Sequence, residues 1–125
     1  MNRIPSFKDL EVWKKSMDLV RRVYDHTCLY PMDERFGLTV ETRKSASSIP
    51  ANIAEGKMRS TPKDYRKFVG IALGSLGELQ TQVLMGAHLG FASASAVETL
   101  EGPIEEIGRM LRGLERALSG SISTA

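Results

Sequence analysis

The chain has 125 residues, a formal net charge of +2, 42% hydrophobic and 6% aromatic content, and one cysteine. That length supports one buried core and excludes two, while the lone Cys28 excludes an internal disulfide and a thiolate metal cage. The polar stretch from Met1 to Glu11 and the lack of any long apolar run lead us to expect no secretion signal, no membrane span and a reducing cytoplasm.

The scarcity of aromatics beside abundant Ala, Leu, Met, Glu, Lys and Arg favours helix over strand. Leu10, Trp13, Met17, Val20, Tyr24 and Thr27 recur at spacings of three and four, which predicts a first helix over residues 7–28 with that stripe facing inward. Tyr30-Pro31 ends it, because the residue before a proline is pushed out of α geometry. Asp33 is then the expected cap of a second helix with the inward stripe Leu38, Thr42, Ala46, Ile49 and Ile53, closing at Gly56. Pro50 lies inside that run, removes one backbone hydrogen bond and predicts a bend.

Thr61-Pro62-Lys63-Asp64 is a start signal: Thr61 as N-cap, Pro62 at the first helical position, Asp64 where a capping box needs its acid. The third helix is expected to run to about Leu89, with Gly90 as its stop, and its core stripe is Tyr65, Phe68, Ala72, Leu76, Leu79 and Val83. A fourth begins near Ser93–Ser95 and carries Val97, Leu100, Ile104, Ile107, Leu111, Leu114 and Leu118, with Pro103 predicting a kink or a late start. Short connections make neighbours antiparallel, so the fold class is all-α, an up-and-down four-helix bundle over residues 1–118 followed by a flexible tail, 119–125.

The third helix has a second unusual face. At 100° per residue Gly70, Gly74, Gly77 and Thr81 align opposite the core stripe, flanked by Leu73 and Leu84. Each interior glycine costs roughly 1 kcal/mol relative to alanine, so three in line imply a compensating close approach of another backbone. That backbone belongs to a tight crossing inside the chain or to a second copy, and the second copy is favoured. Val12 and Leu19 on the first helix lie off its main stripe and join the expected subunit interface.

Charge is also unevenly spread. Residues 43–67 hold Arg43, Lys44, Lys57, Arg59, Lys63, Arg66 and Lys67 against Glu55 and Asp64, a net +5. These residues are expected to converge at one pole of the bundle as a surface able to engage phosphate. No Glu-x-x-His pair for a di-iron centre occurs, and the glycines of the third helix follow no strand, so they form no phosphate loop. His26 and His88 fall near helix ends and read as polar termini, and Cys28 as a small buried hydrophobe. The expectation is a protein without catalytic residues, cofactor or metal.

Phe7-Lys8-Asp9-Leu10-x-Val12-Trp13, Pro31-x-x-Glu34-x-Phe36-Gly37-Leu38, Ser48-Ile49-Pro50-Ala51-Asn52-Ile53-Ala54-Glu55-Gly56 and Ile71-Ala72-Leu73-Gly74-Ser75-Leu76-x-Glu78-Leu79 occur in this order. Together they resemble the four-helix bundle family whose first members are encoded in intervening sequences of 23S ribosomal RNA genes. The resemblance implies a left-handed bundle that assembles as a homopentameric ring. It is also similar to the accessory variability protein of diversity-generating retroelements, a basic pentamer that binds nucleic acid and a reverse transcriptase. Pro50, Asn52, Glu55, Gly56, Ser75 and Glu78 match the family motif, where a structural role is implied. Asn52 and Glu55 are expected to serve backbone groups freed at Pro50, with Ser75 and Glu78 bordering the glycine stripe.

Overall fold

Four α-helices and no strand make up residues 6–123, the part described by the computed structural model. They are α1 (Glu11–Thr27), α2 (Leu38–Lys57), α3 (Pro62–His88) and α4 (Ala94–Ser123). Each helix packs on its neighbours in sequence and α4 closes back on α1, so α1 and α3 stand on one diagonal and α2 and α4 on the other. Residue pairs fix the antiparallel order: Thr27 with Arg43, Gly56 with Tyr65 and Phe68, and Gly108 with Leu76. No helix among the described residues is long and apolar enough to cross a membrane.

The ends of the helices follow local chemistry. The helix expected from residue 7 starts at Glu11, because Phe7–Asp9 forms a separate 3-10 turn and Leu10 is extended. Ser6 and Asp9 cap that turn reciprocally, Lys8 N–H donating to Ser6 Oγ (3.2 Å) and Ser6 N–H to Asp9 Oδ2 (3.1 Å). Asp33 does not cap α2. It lies in a 3-10 turn, Met32–Glu34, and Gly37 is the residue that opens α2. Thr61 caps α3 as expected, its Oγ1 accepting from Asp64 N–H at 3.2 Å.

At the other end of α3, Gly90 takes a left-handed φ of 82°. Phe91 N–H then reaches Gly86 O (2.8 Å) and Gly90 N–H reaches Ala87 O (3.0 Å), the paired bonds of a Schellman stop. Ser93 Oγ accepts from Ala96 N–H (3.1 Å) to start α4. Pro103 is accommodated inside α4, and the expected tail is helical through Ser123. There Ser119 and Ser121 hydroxyls fold back on the carbonyls of Glu115 (2.9 Å) and Ala117 (3.3 Å), so a small polar composition does not end the helix. Residues 124–125 of the tail lie outside the described residues.

The core stripes of α2, α3 and α4 are largely those expected: Thr42, Ala46, Ile49 and Ile53; Ala72, Leu76, Leu79 and Val83; Val97, Leu100, Ile104, Ile107 and Leu111. Leu38, Tyr65, Phe68, Leu114 and Leu118 are only half-buried, and Val69, not expected there, is fully buried. On α1 the faces are exchanged. Met17 (46% exposed) and Tyr24 (43%) look outward, while Val12 and Leu19, expected at a subunit interface, are in the core at 6% and 1%. The buried stripe is completed by Ser16, Val23, His26 and Thr27. Its hydroxyls are satisfied locally, Ser16 Oγ donating to Val12 O (2.6 Å) and Thr27 Oγ1 to Val23 O (2.9 Å), so hiding them costs little. Trp13 and Val20 are half-buried and pack against the edge of the core.

Two glycines set helix spacing. A Cβ on Gly56 would stand 2.9 Å from Phe68 Cβ and from Tyr65 Cδ1, and one on Gly86 would overlap the Tyr30 hydroxyl. The Tyr30 ring packs edge-on against His26 (71° between planes) and tilted against Phe91 (53°), with ring centroids 5.6 Å away in each case. Its hydroxyl, His26 Nε2 and Gln82 Oε1 are buried without a partner.

We expect Gly56→Ala to lower the unfolding free energy by about 1–3 kcal/mol, because backbone and Cβ atoms rather than flexible tips must give way. A urea titration with an unchanged midpoint would show that α2 and α3 can part without loss. His26 gives a pH-dependent expectation, since burial holds its pKa below the ordinary 6.5. The unfolded chain therefore binds the extra proton first, so stability is full above about 6.5 and falls as pH drops from there through the depressed folded value. Thermal melts across this range should fall less steeply in His26→Gln; an identical slope in both proteins would remove His26 as the cause.

Candidate functional site

The α2–α3 hairpin determines where the cations go. Lys57 is the last residue of α2, Arg59 lies in the turn, and Lys63, Arg66 and Lys67 occupy the first two turns of α3. All except the half-buried Lys57 are exposed. Arg59 is committed locally: Nη2 is 2.9 Å from Glu55 Oε1, and the guanidinium lies 4.7 Å from the centroid of the Phe68 ring. Lys67 Nζ sits 6.0 Å from the same ring. Among the described residues no carboxylate lies within ion-pair distance of Lys57, Lys63, Arg66 or Lys67. These four are the unpaired cations of the pole, with the carboxylates of Asp64 and Glu115 on the same surface.

Arg43 and Lys44 do not join them. They lie 13–14 residues before Lys57, about 20 Å up the helix at 1.5 Å per residue. Arg43 is turned onto the end of α1, where Nε donates to Thr27 Oγ1 (2.8 Å), Nη2 to Tyr24 O (3.4 Å), and the guanidinium covers the Tyr24 ring at 4.4 Å. Sequence proximity grouped it with the turn; helix length separates it.

Arginines of α4 lie along the α3–α4 groove from mid-bundle toward that end; in the sequence Arg109 and Arg112 read only as a solvated charge lattice with Glu105 and Glu106. Glu105, Arg109, Arg112 and Arg116 line a groove with Leu73, Leu76, Gly77 and Gln80 of α3. A second groove toward the turn is lined by Lys63, Asp64, Arg66, Lys67 and Gly70 with Glu115 of α4. Their spacing of three and four was the available signal, and it needed the α3–α4 register to become meaningful. Arg112 has a long 3.4 Å pairing with Glu115, and Glu106 is taken instead by Lys15 of α1 at 2.7 Å. That hydrogen bond holds the Glu106 carboxyl below its usual range.

The glycine stripe faces outward. Nothing lies within 4 Å of a Cβ built on Gly70, Gly74 or Gly77, so no tight crossing inside the chain explains them. Thr81 and Leu84 continue the exposed strip, while Leu73 is half-buried against the core. Exposed Met85, His88 and Leu89 extend it toward the end of α3.

The motif residues are tied to the α2–α3 seam, partly in a different way from that expected. Asn52 Nδ2 donates to Ser48 O (2.8 Å) and to Ser48 Oγ (2.9 Å), and the hydroxyls of Ser48 and Ser75 share a 2.8 Å hydrogen bond across the helices. The carbonyl that loses its N–H partner to Pro50 is that of Ala46, one turn earlier, and Asn52 does not reach it. Glu55 is engaged by Arg59, and Glu78 is exposed on α3. Cys28 is exposed rather than buried, with Sγ 3.7 Å from Arg43 Nη2. Among the described residues no group of three His, Cys, Asp or Glu is placed to hold a metal ion.

Arg43→Ala should cost about 1 kcal/mol of stability, through the lost Thr27 bond and ring contact, without changing any ligand affinity of the turn. Chemical denaturation and a binding titration on one preparation check this; an affinity loss with unchanged stability would return Arg43 to the basic surface.

No curated protein matches the chain. Among solved structures, it is similar to a protein of unknown function from the S23 ribosomal protein family of Bacteroides thetaiotaomicron VPI-5482. The two share 20% identity and a TM-score of 0.77 over 83% of this chain and 97% of that one, which is a likeness of fold. Residues 8–113 match the description of the 23S rRNA-intervening sequence proteins, a span that takes in all of α1, α2 and α3 and most of α4. The chain therefore belongs to the 23S rRNA-intervening sequence protein family.

Proposed function

We propose that the protein is a cytoplasmic, non-enzymatic scaffold that self-associates through the outer face of α3 and binds nucleic acid, or a nucleoprotein, through the pole at the α2–α3 turn. The observation that carries the binding reading is the set of cations without an ion-pair partner, Lys57, Lys63, Arg66 and Lys67, gathered on one end by two packed helices. Cations without carboxylate partners exchange bound counterions for phosphates, which makes the affinity electrostatic and salt-dependent. Self-association is supported by the open strip Gly70, Gly74 and Gly77, where an incoming helix meets no side chain. The family resemblance implies five copies in a ring, and a ring would repeat the basic pole around its rim. The reading calls for no cofactor, metal or small-molecule substrate.

A protein-only scaffold is the second reading, favoured by exposed apolar residues at the opposite end. Leu29, Met32 and Phe36 of the α1–α2 connection are 77%, 75% and 84% exposed, and Leu89 lies at the same end.

Both parts are tested on one set of proteins. Light scattering should give a multiple of the 13.8 kDa chain for the wild type and that mass alone for Gly70→Leu/Gly74→Leu. Fluorescence anisotropy should show a labelled nucleic acid bound at low salt and lost in Lys63→Glu/Arg66→Glu/Lys67→Glu with mass unchanged. A monomeric wild type overturns the scaffold; no binding at low salt leaves the protein-only reading.

A further inference from the structure

Resting on that binding reading, we infer that the basic end recognises the phosphate strands of a double helix rather than unpaired bases, and that Arg112 and Arg116 of α4 belong to the contact surface. The first argument concerns aromatic faces. Proteins that grip single strands without sequence preference stack bases on open aromatic rings. At this end the Phe68 ring is half-buried, with Arg59 at 4.7 Å and Lys67 at 6.0 Å from its centroid. Tyr65 is half-buried in the seam beside Gly56, and Phe7 is packed edge-on against Trp13 at 5.4 Å. The exposed aromatic rings among the described residues are Tyr24, covered by Arg43, and Phe36 and His88, at the opposite end of the bundle. The surface thus offers charge without a stacking platform.

The second argument concerns placement. A Cβ on Gly108 would touch Leu76 Cδ2 at 3.4 Å, which sets these two residues at one level of the antiparallel pair. From that level Arg116 lies about 12 Å, and Arg66 about 15 Å, toward the same end at 1.5 Å per residue. Lys63, Arg66 and Lys67 of α3 line one groove with Glu115, the chain neighbour of Arg116 on α4. Arg66 and Arg116 therefore stand at nearly one level on adjacent rigid helices, with Arg112 one turn back along α4. Such a fixed two-row array suits phosphates held at set spacing by a duplex; a flexible strand would have to be ordered first.

Duplex DNA and duplex RNA present this chemistry alike. The test titrates the full-length protein by anisotropy against labelled duplexes of each kind, about 20 base pairs long, and against their separated strands of low self-structure, at salt from roughly 50 to 300 mM. We expect at least one duplex to bind about tenfold more tightly than its strands, the preferred duplex identifying the sugar. Arg112→Gln/Arg116→Gln should flatten the logarithmic salt dependence for that duplex by about two, with helix content and mass unchanged. Strands that bind as well as duplexes, with the loss in Lys63→Glu/Arg66→Glu/Lys67→Glu retained, would overturn this inference and leave the basic pole standing. An unaltered salt slope in the α4 variant would remove Arg112 and Arg116 from the surface. Absence of binding to every probe would overturn the basic pole and the inference together.

Discussion

A side chain at position 56 would set its Cβ 2.9 Å from Phe68 Cβ and Tyr65 Cδ1, and its absence lets α2 close on α3 just before the turn. That approach is held again two turns away by the Ser48–Ser75 hydrogen bond, which Asn52 steadies from its own helix. With the two helices locked, the turn is short and its cations cannot spread along a loop. Phe68 is fixed by the same contact, and so is the ring under Arg59 and Lys67. The electrostatics of this pole are thus a by-product of backbone packing.

Much of this architecture is legible in the sequence because it rests on local signals. Thr61-Pro62 places the start of α3, Gly90 its stop, and the apolar spacing from Val97 to Leu111 needs nothing beyond helical period. The face of α1 is not legible in that way. Two stripes compete there, and counting bulky side chains favours the one with Trp13, Met17 and Tyr24. The fold buries the other, because Val12, Leu19 and Val23 pack closely and the hydroxyls of Ser16 and Thr27 are satisfied by their own helix. A polar letter in the sequence hides a residue that is apolar in effect.

The candidate site was half legible for a related reason. Residues 57–67 are near one another in sequence and remain so in space, whereas Arg43 is carried away by helix rise and Arg112 and Arg116 are brought in by register. The glycine strip was legible as an anomaly of α3, and open space around each glycine removes the intramolecular account of it. Glycine costs backbone entropy wherever it sits in a helix. An isolated chain would hold α3 more firmly with alanine at all three positions.

Of the three unpartnered polar atoms, His26 Nε2 and Tyr30 Oη belong to the ring contact at the end of α1, and Gln82 Oε1 lies in the last two turns of α3. A buried polar atom without a partner regains its hydrogen bond when water enters, so separation of the helices is cheapest there. Amide hydrogens at the ends of α1 and α3 should accordingly exchange through small local openings, while those beside Gly56 wait for global unfolding. On this account the bundle would open first at the Tyr30 end, and the end closed by Gly56 is the one that carries the cations.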